Sequence, residues 1–81
     1  MKEEIDYIKR SQYRLKVMKS LDGNAKIPSQ IARETQIIRN HVSKTLKQLS
    51  EHELVVCINP QAQRGRLYRH TDKGREIFKK L

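Results

Sequence analysis

Acidic residues are scarce in this sequence. Nine Asp and Glu stand against eighteen Lys and Arg, for a formal net charge of +9 and a pI near 10.1. Such a field favours polyanionic partners, either nucleic acid or an anionic membrane surface. Tryptophan is absent and there is one phenylalanine, with 36% apolar residues in all. The core must therefore be modest, and a chain this small buries a low share of its surface, so burial against a partner would help it. The single cysteine, Cys57, excludes an intrachain disulfide. It lies in the apolar run "LVVCI" and reads as a buried or half-buried strand thiol rather than a redox group. No apolar stretch is long enough to cross a membrane, and "MKEEIDYIKR" does not resemble a signal peptide, so a soluble cytoplasmic protein is expected. Repeats and low-complexity segments are also missing.

What is present is periodic. The 81 residues fit one small domain, 1–81, with residues 1–10 as an N-terminal arm or helix extension. Apolar positions recur in segments divided by turn signals, which separates the chain from a disordered tail. Ile5, Ile8, Leu15 and Met18 fall at helical spacing, widened by Val17 and Leu21. Mostly helix is expected from Lys2 to Leu21, although Ser11 could cap a second helix and break the run. Asp22–Asn24, "DGN", is a stop. Ala25–Ile27 suits a brief strand. Pro28 suits the first turn of a helix to Thr35, because its missing N–H costs nothing there.

A longer helix is expected over 38–52. Val42, Leu46 and Leu49 form its core stripe. The opposite face carries Arg39, Asn40, Ser43, Lys44 and Lys47, with no acid among them. Glu51 and Glu53 stand at the C-terminal end, where they do not favour the helix dipole. Leu54–Asn59 and Arg66–His70 read as two strands of a hairpin, and the loop over 59–66 carries Gln61, Gln63, Arg64 and Arg66. Gly65 there can take a positive φ. Thr71 is a candidate N-cap for a last helix with Ile77, Phe78 and Leu81 on its apolar face. Gly74 inside it marks either close packing or a frayed first turn. Two helices joined by a tight turn and followed by a hairpin make a winged helix-turn-helix, an α+β but mainly α fold with a three-helix core, a β-hairpin wing and a C-terminal helix.

The segments "PSQIA", "RNHVSKTLKQL" and "GRLYRHTDKG", in that order, resemble small winged helix-turn-helix transcriptional regulators of the MarR-like and ArsR-like groups, including compact archaeal members. The resemblance spans about residues 11–78. It implies sequence-specific double-stranded DNA binding by a homodimer. Two positions depart from the family pattern, which favours glycine in the turn and after the recognition helix, where this chain has Gln36 and Glu53. The recognition helix also lacks the cysteine pair of ArsR-like metal sensors.

Each candidate residue has a chemical reason. Arg suits guanine O6 and N7, and Asn suits adenine N6 and N7. Arg39, Asn40, His41, Ser43 and Lys44 are therefore the expected base contacts, from the N-terminal half of a helix lying in the major groove. Ser29, Gln30 and Lys47 are expected on the DNA backbone, the first two through the start of a helix. Gln63, Arg64 and Arg66 are expected on the minor groove or backbone from the wing. Ile5, Tyr7, Ile8, Phe78 and Leu81 are candidates for a dimer face, or for closing the monomer core. His41, His52, His70 and Cys57 match no zinc spacing, so no metal or other cofactor is expected. "RGR" lacks the Lys-Ser or Lys-Thr of a phosphate loop, and no catalytic set is present, so no enzyme is expected. The competing functions are a winged-helix module for protein or RNA, and a non-specific DNA-compacting protein.

Overall fold

A computed structural model describes all of Met1–Leu81. Its elements run α1 (Lys2–Lys9), α2 (Gln12–Ser20), α3 (Pro28–Thr35), α4 (Arg39–Glu51), β1 (Val55–Cys57), β2 (Tyr68–His70) and α5 (Asp72–Phe78). The segment Lys2–Leu21, expected to be mostly helix with a break at Ser11 left open, is two helices. Ser11 is extended, at φ −129° and ψ 121°, and its hydroxyl accepts the Arg14 N–H at 3.2 Å. Capping favours the break because it satisfies a backbone donor that would otherwise be orphaned at a helix start. On the other side, the Tyr7 carbonyl in the last turn of α1 accepts Arg14 Nε at 2.7 Å, and the Arg14 guanidinium lies 3.8 Å from the centre of the Tyr7 ring. One arginine thus closes both the end of α1 and the corner after it.

α2, α3 and α4 pack around Val17, Met18, Leu21, Ile31, Val42, Leu46 and Leu49, all buried, with Leu54, Val55 and Ile77 added from the C-terminal part. Ile8 of α1 is fully buried in the same cluster, while Ile5, Phe78 and Leu81 are half-buried against it. These apolar side chains close the monomer's own core. Pro28 stands in the first turn of α3 as expected.

The two departures from glycine are both left-handed: Gln36 and Glu53 each have φ 60°. Glu53 ends α4 in a Schellman arrangement. Leu54 N–H bonds to the Leu49 carbonyl at 2.9 Å and Glu53 N–H to the Ser50 carbonyl at 2.9 Å. The two buried leucines, Leu49 and Leu54, supply the apolar contact that accompanies this motif. A non-glycine residue in this conformation costs roughly 1–2 kcal/mol. The two hydrogen bonds and the burial of Leu54 offset it.

The strands are shorter than the sequence suggested. β1 and β2 pair antiparallel as Val55 with His70, Val56 with Arg69 and Cys57 with Tyr68. Leu54 belongs to the helix stop and Asn59 to the loop. The expected strand at Ala25–Ile27 is a single bridge, with Lys26 and Tyr68 exchanging two backbone hydrogen bonds of 2.9 Å. Thr71 caps α5 by accepting the Gly74 N–H at 2.9 Å. Its hydroxyl donates to the Glu53 carbonyl at 2.6 Å and its N–H to the Leu54 carbonyl at 3.1 Å. Gly74 lies so close over Leu54 that a Cβ would overlap the Leu54 carbonyl oxygen. Gly74 therefore marks close packing, not a frayed turn.

Charge ties the ends together. Glu4 on α1 pairs with Lys73 on α5 at 3.1 Å, and that hydrogen bond, with those from its own backbone N–H and the amino terminus, holds the Glu4 carboxyl at about 2. His70 donates Nε2–H to the Met18 carbonyl at 2.8 Å, and burial pushes its imidazole below the ordinary value of 6.5.

Two outcomes are expected. Gly74→Ala should destabilise the chain by about 1–3 kcal/mol in urea unfolding through overpacking, although helix propensity alone would stabilise it by about 1 kcal/mol. A gain in stability would show that the contact with Leu54 yields freely. Second, the unfolded chain takes up a proton at His70 near 6.5, whereas the folded chain resists it. The unfolded state then binds more protons, so stability falls as pH drops below that value. Urea midpoints at pH 7.5 and 5.5 should differ in that direction, and His70→Gln should narrow the gap.

Candidate nucleic-acid interface

α4 is the longest helix, and its faces follow from the 3.6-residue repeat. Val42, Thr45, Leu46 and Leu49 are buried. Arg39, Asn40, His41, Ser43, Lys44 and Lys47 are all exposed. The helix begins with Ile38 extended, without a side-chain cap and without an acid in its first turn. Its positive end is left open to an anion rather than neutralised from within.

Along the stripe farthest from the core the spacing places Asn40, Lys44, Lys47 and then Glu51. The acid-free surface thus ends at Glu51, one turn beyond Lys47. His41 lies at the side of this stripe. Its ring is tilted against Tyr13 of α2, with centroids 5.1 Å apart. His52, at the end of α4, stacks on Tyr7 of α1 at 4.0 Å. The three histidines therefore serve three separate packing contacts, and no group of three His, Cys, Asp or Glu is placed to hold a metal.

Ion pairing sharpens the electrostatics. The four ion pairs join the amino terminus to Glu4, Lys26 to Glu34, Lys73 to Glu4 and Lys79 to Glu76. None uses Arg39, Lys44, Lys47, Arg64 or Arg66. Lys26 and Gln30 hydrogen-bond the Glu34 carboxylate, Lys26 more strongly, and hold its pKa below the usual range. That acid is satisfied beside α3 and does not reach across to α4. The bases of α4 and the wing loop therefore have no acidic partner within the chain.

The start of α3 offers less than its sequence suggested. Pro28 has no N–H, the Gln30 N–H donates to the Ile27 carbonyl at 3.0 Å, and the Gln30 side chain is bonded to Glu34 at 3.1 Å. Ser29 retains its hydroxyl and N–H for an outside group; both Ser29 and Gln30 are half-buried. In the wing, Gln63, Arg64 and Arg66 are exposed. Arg64 makes no ion pair or internal hydrogen bond, but Arg66 folds back on the loop, with Nε on the Ala62 carbonyl at 2.9 Å and Nη2 on the Pro60 carbonyl at 3.0 Å. The two arginines thus differ: the backbone carbonyls of the loop hold the Arg66 guanidinium, and Arg64 has no such partner.

Two further residues border this surface. Ile38 is 64% exposed and Tyr13 is 42% exposed. Ile37 and Ile38 are adjacent and only one can face inward; the choice depends on the left-handed turn at Gln36. Tyr13 stands in line with buried Val17 and Leu21, so spacing alone gives no signal of its exposure, and its partner His41 is distant in sequence. A cleft of about 410 Å³ at the base of the wing, lined by Arg69, His70, Thr71, Asp72 and Arg75 among others, includes none of the candidate residues.

With this geometry established, solved structures supply the comparison. The transcriptional repressor CouR, bound to a 23-mer DNA duplex, superposes with a TM-score of 0.73 at 27% identity over 85% of this chain and 50% of CouR. A mutant of ZitR from Lactococcus lactis gives 0.76 at 24% identity over 86% of this chain and 49% of ZitR. A homodimeric winged helix-turn-helix DNA-binding domain from Mycobacterium bovis, a possible ArsR-family transcriptional regulator, gives 0.76 at 18% identity over 93% of this chain and 68% of that one. The fold is a winged helix-turn-helix. This chain spans about half the length of CouR and of ZitR. No family model matches it, and no curated protein matches significantly. No helix is long and apolar enough to cross a membrane.

Proposed function

We propose that this chain is a sequence-specific double-stranded DNA-binding transcriptional regulator of the MarR-like or ArsR-like kind, with residues 1–81 acting as one binding unit in the cytoplasm. The observation that carries the reading is the outer face of α4, exposed from Arg39 to Lys47, acid-free and unpaired on a fold shared with a DNA-bound repressor. In this reading α4 enters the major groove. Arg39 and Asn40 read base edges, with His41, Ser43 and Lys44 beside them. Lys47, Ser29 and Gln30 meet phosphate. The wing lies on the minor groove or backbone and presents Arg64, with Gln63 and Arg66 beside it. A homodimer sets two recognition helices about one DNA turn apart. The contact between copies runs through α1 and α5, where Ile5, Tyr7, Phe78 and Leu81 remain half-buried. Non-enzymatic action fits the absence of a catalytic set in the sequence.

A winged module for protein would present an apolar surface in place of α4's polar face. Only Ile38 and Tyr13 border it.

The test uses a duplex enriched from a random-sequence pool and its scrambled counterpart, titrated across a salt series. The enriched duplex should keep its advantage as salt rises. Equal loss on both duplexes would make the protein a non-specific DNA binder, and no binding at low salt would sink both DNA readings. Arg39→Ala should relax base preference by about 1–3 kcal/mol, whereas Arg64→Ala should weaken both duplexes alike and lower the salt slope by about one. Glu51→Gln should strengthen both duplexes, most at low salt, because it removes the acid that ends the basic stripe.

A further inference from the structure

We propose that Asn59 and Arg66 are positioning residues that lock the wing loop in one shape, so that Arg64 is the arginine the loop presents. The consequence for binding rests on the DNA-binding reading; the lock itself does not.

The loop over 59–66 has little backbone support. Beyond Ile58 N–H on the Leu67 carbonyl at 2.9 Å, one backbone bond lies inside it, from Ala62 N–H to the Asn59 carbonyl at 3.0 Å. Ordering each residue opposes chain entropy, and that support alone would leave the loop in many shapes. Side chains supply the rest from both arms. Asn59 Oδ1 accepts the Leu67 N–H at 2.7 Å, and its Nδ2 donates to the Gly65 carbonyl at 3.1 Å. An amide suits this place because it offers an acceptor and a donor at once. From the returning arm, Arg66 bonds the Ala62 and Pro60 carbonyls through the fork of its guanidinium. A lysine has the same charge but presents its donors from one point and cannot reproduce the fork. Gly65, at φ 66°, lets the chain turn back between them.

A binding-competent shape that is only partly populated raises the apparent Kd by the inverse of its population. The lock therefore sets affinity without touching DNA. This separates the two wing arginines: Arg64 supplies charge, and Arg66 supplies shape.

The experiment measures 15N relaxation of residues 60–66 and duplex binding across a salt series, on the full chain and on Asn59→Ala, Arg66→Lys and Arg66→Ala. In the parent the loop's order parameters should approach about 0.85, and in each variant fall below about 0.6, with helix values unchanged. If the ordered fraction falls to roughly a fifth, affinity falls roughly fivefold on matched and scrambled duplexes alike. For Arg66→Lys the salt slope should stay as in the parent, because charge is conserved. Unchanged order in Asn59→Ala and Arg66→Lys would overturn the lock. So would parent-like binding by Arg66→Lys alongside weak binding by Arg66→Ala, which would make Arg66 a simple phosphate contact. If the parent binds no duplex, the DNA reading fails, and the relaxation arm still decides the lock.

Discussion

The turn from His52 to Leu54 is the constraint on which the rest depends. Glu53 takes a left-handed conformation there, and Leu54 N–H reaches back to the Leu49 carbonyl. The same few atoms then serve three elements. The carbonyls of Glu53 and Leu54 accept from Thr71, which caps α5, and Gly74 packs directly over Leu54. α4, the start of β1 and α5 are thereby fixed to one another. A Cβ at position 74 or a different exit angle at Glu53 would disturb all three. The direction in which β1 leaves α4, and hence where the wing stands relative to α4, follows from this turn.

Charge distribution follows a similar economy. Two of the four ion pairs join separate segments, Glu4 with Lys73 between α1 and α5 and Lys26 with Glu34 across α3, and the other two are local. Exposed pairs of this kind contribute little individually to stability. They leave all five cations of α4 and the wing loop, Arg39, Lys44, Lys47, Arg64 and Arg66, without an ion-pair partner.

Much of the fold was legible before any coordinates. Pro28 to Thr35 was readable because Pro28 signals a first turn, and α4 because Val42, Leu46 and Leu49 repeat at helical spacing. Thr71 was readable as a cap because its role is played out within three residues. The break at Ser11 stayed open, since the apolar stripe continues through it and the deciding bond, Arg14 to the Tyr7 carbonyl, is not a pattern of residue types. The strands were read too long because β-branched composition does not show where a helix stop or a loop takes residues from a ladder. Of the site, the outward face of α4 was legible from periodicity. Tyr13 against His41 was not, because the two belong to different helices.

The sequence by itself determined the order of elements, the buried face of each helix and the excess of positive charge, because these arise from spacing and chemistry within a few residues. Only the tertiary structure decided which cations stay unpaired, that Gln36 and Glu53 take a conformation usually left to glycine, and that Gly74 leaves room for Leu54. It also decided that Arg66 turns inward on the wing while Arg64 stays free. Each of these depends on which carbonyl or carboxylate happens to lie within reach, and that is set by packing between segments, not by the residues next to them in the chain.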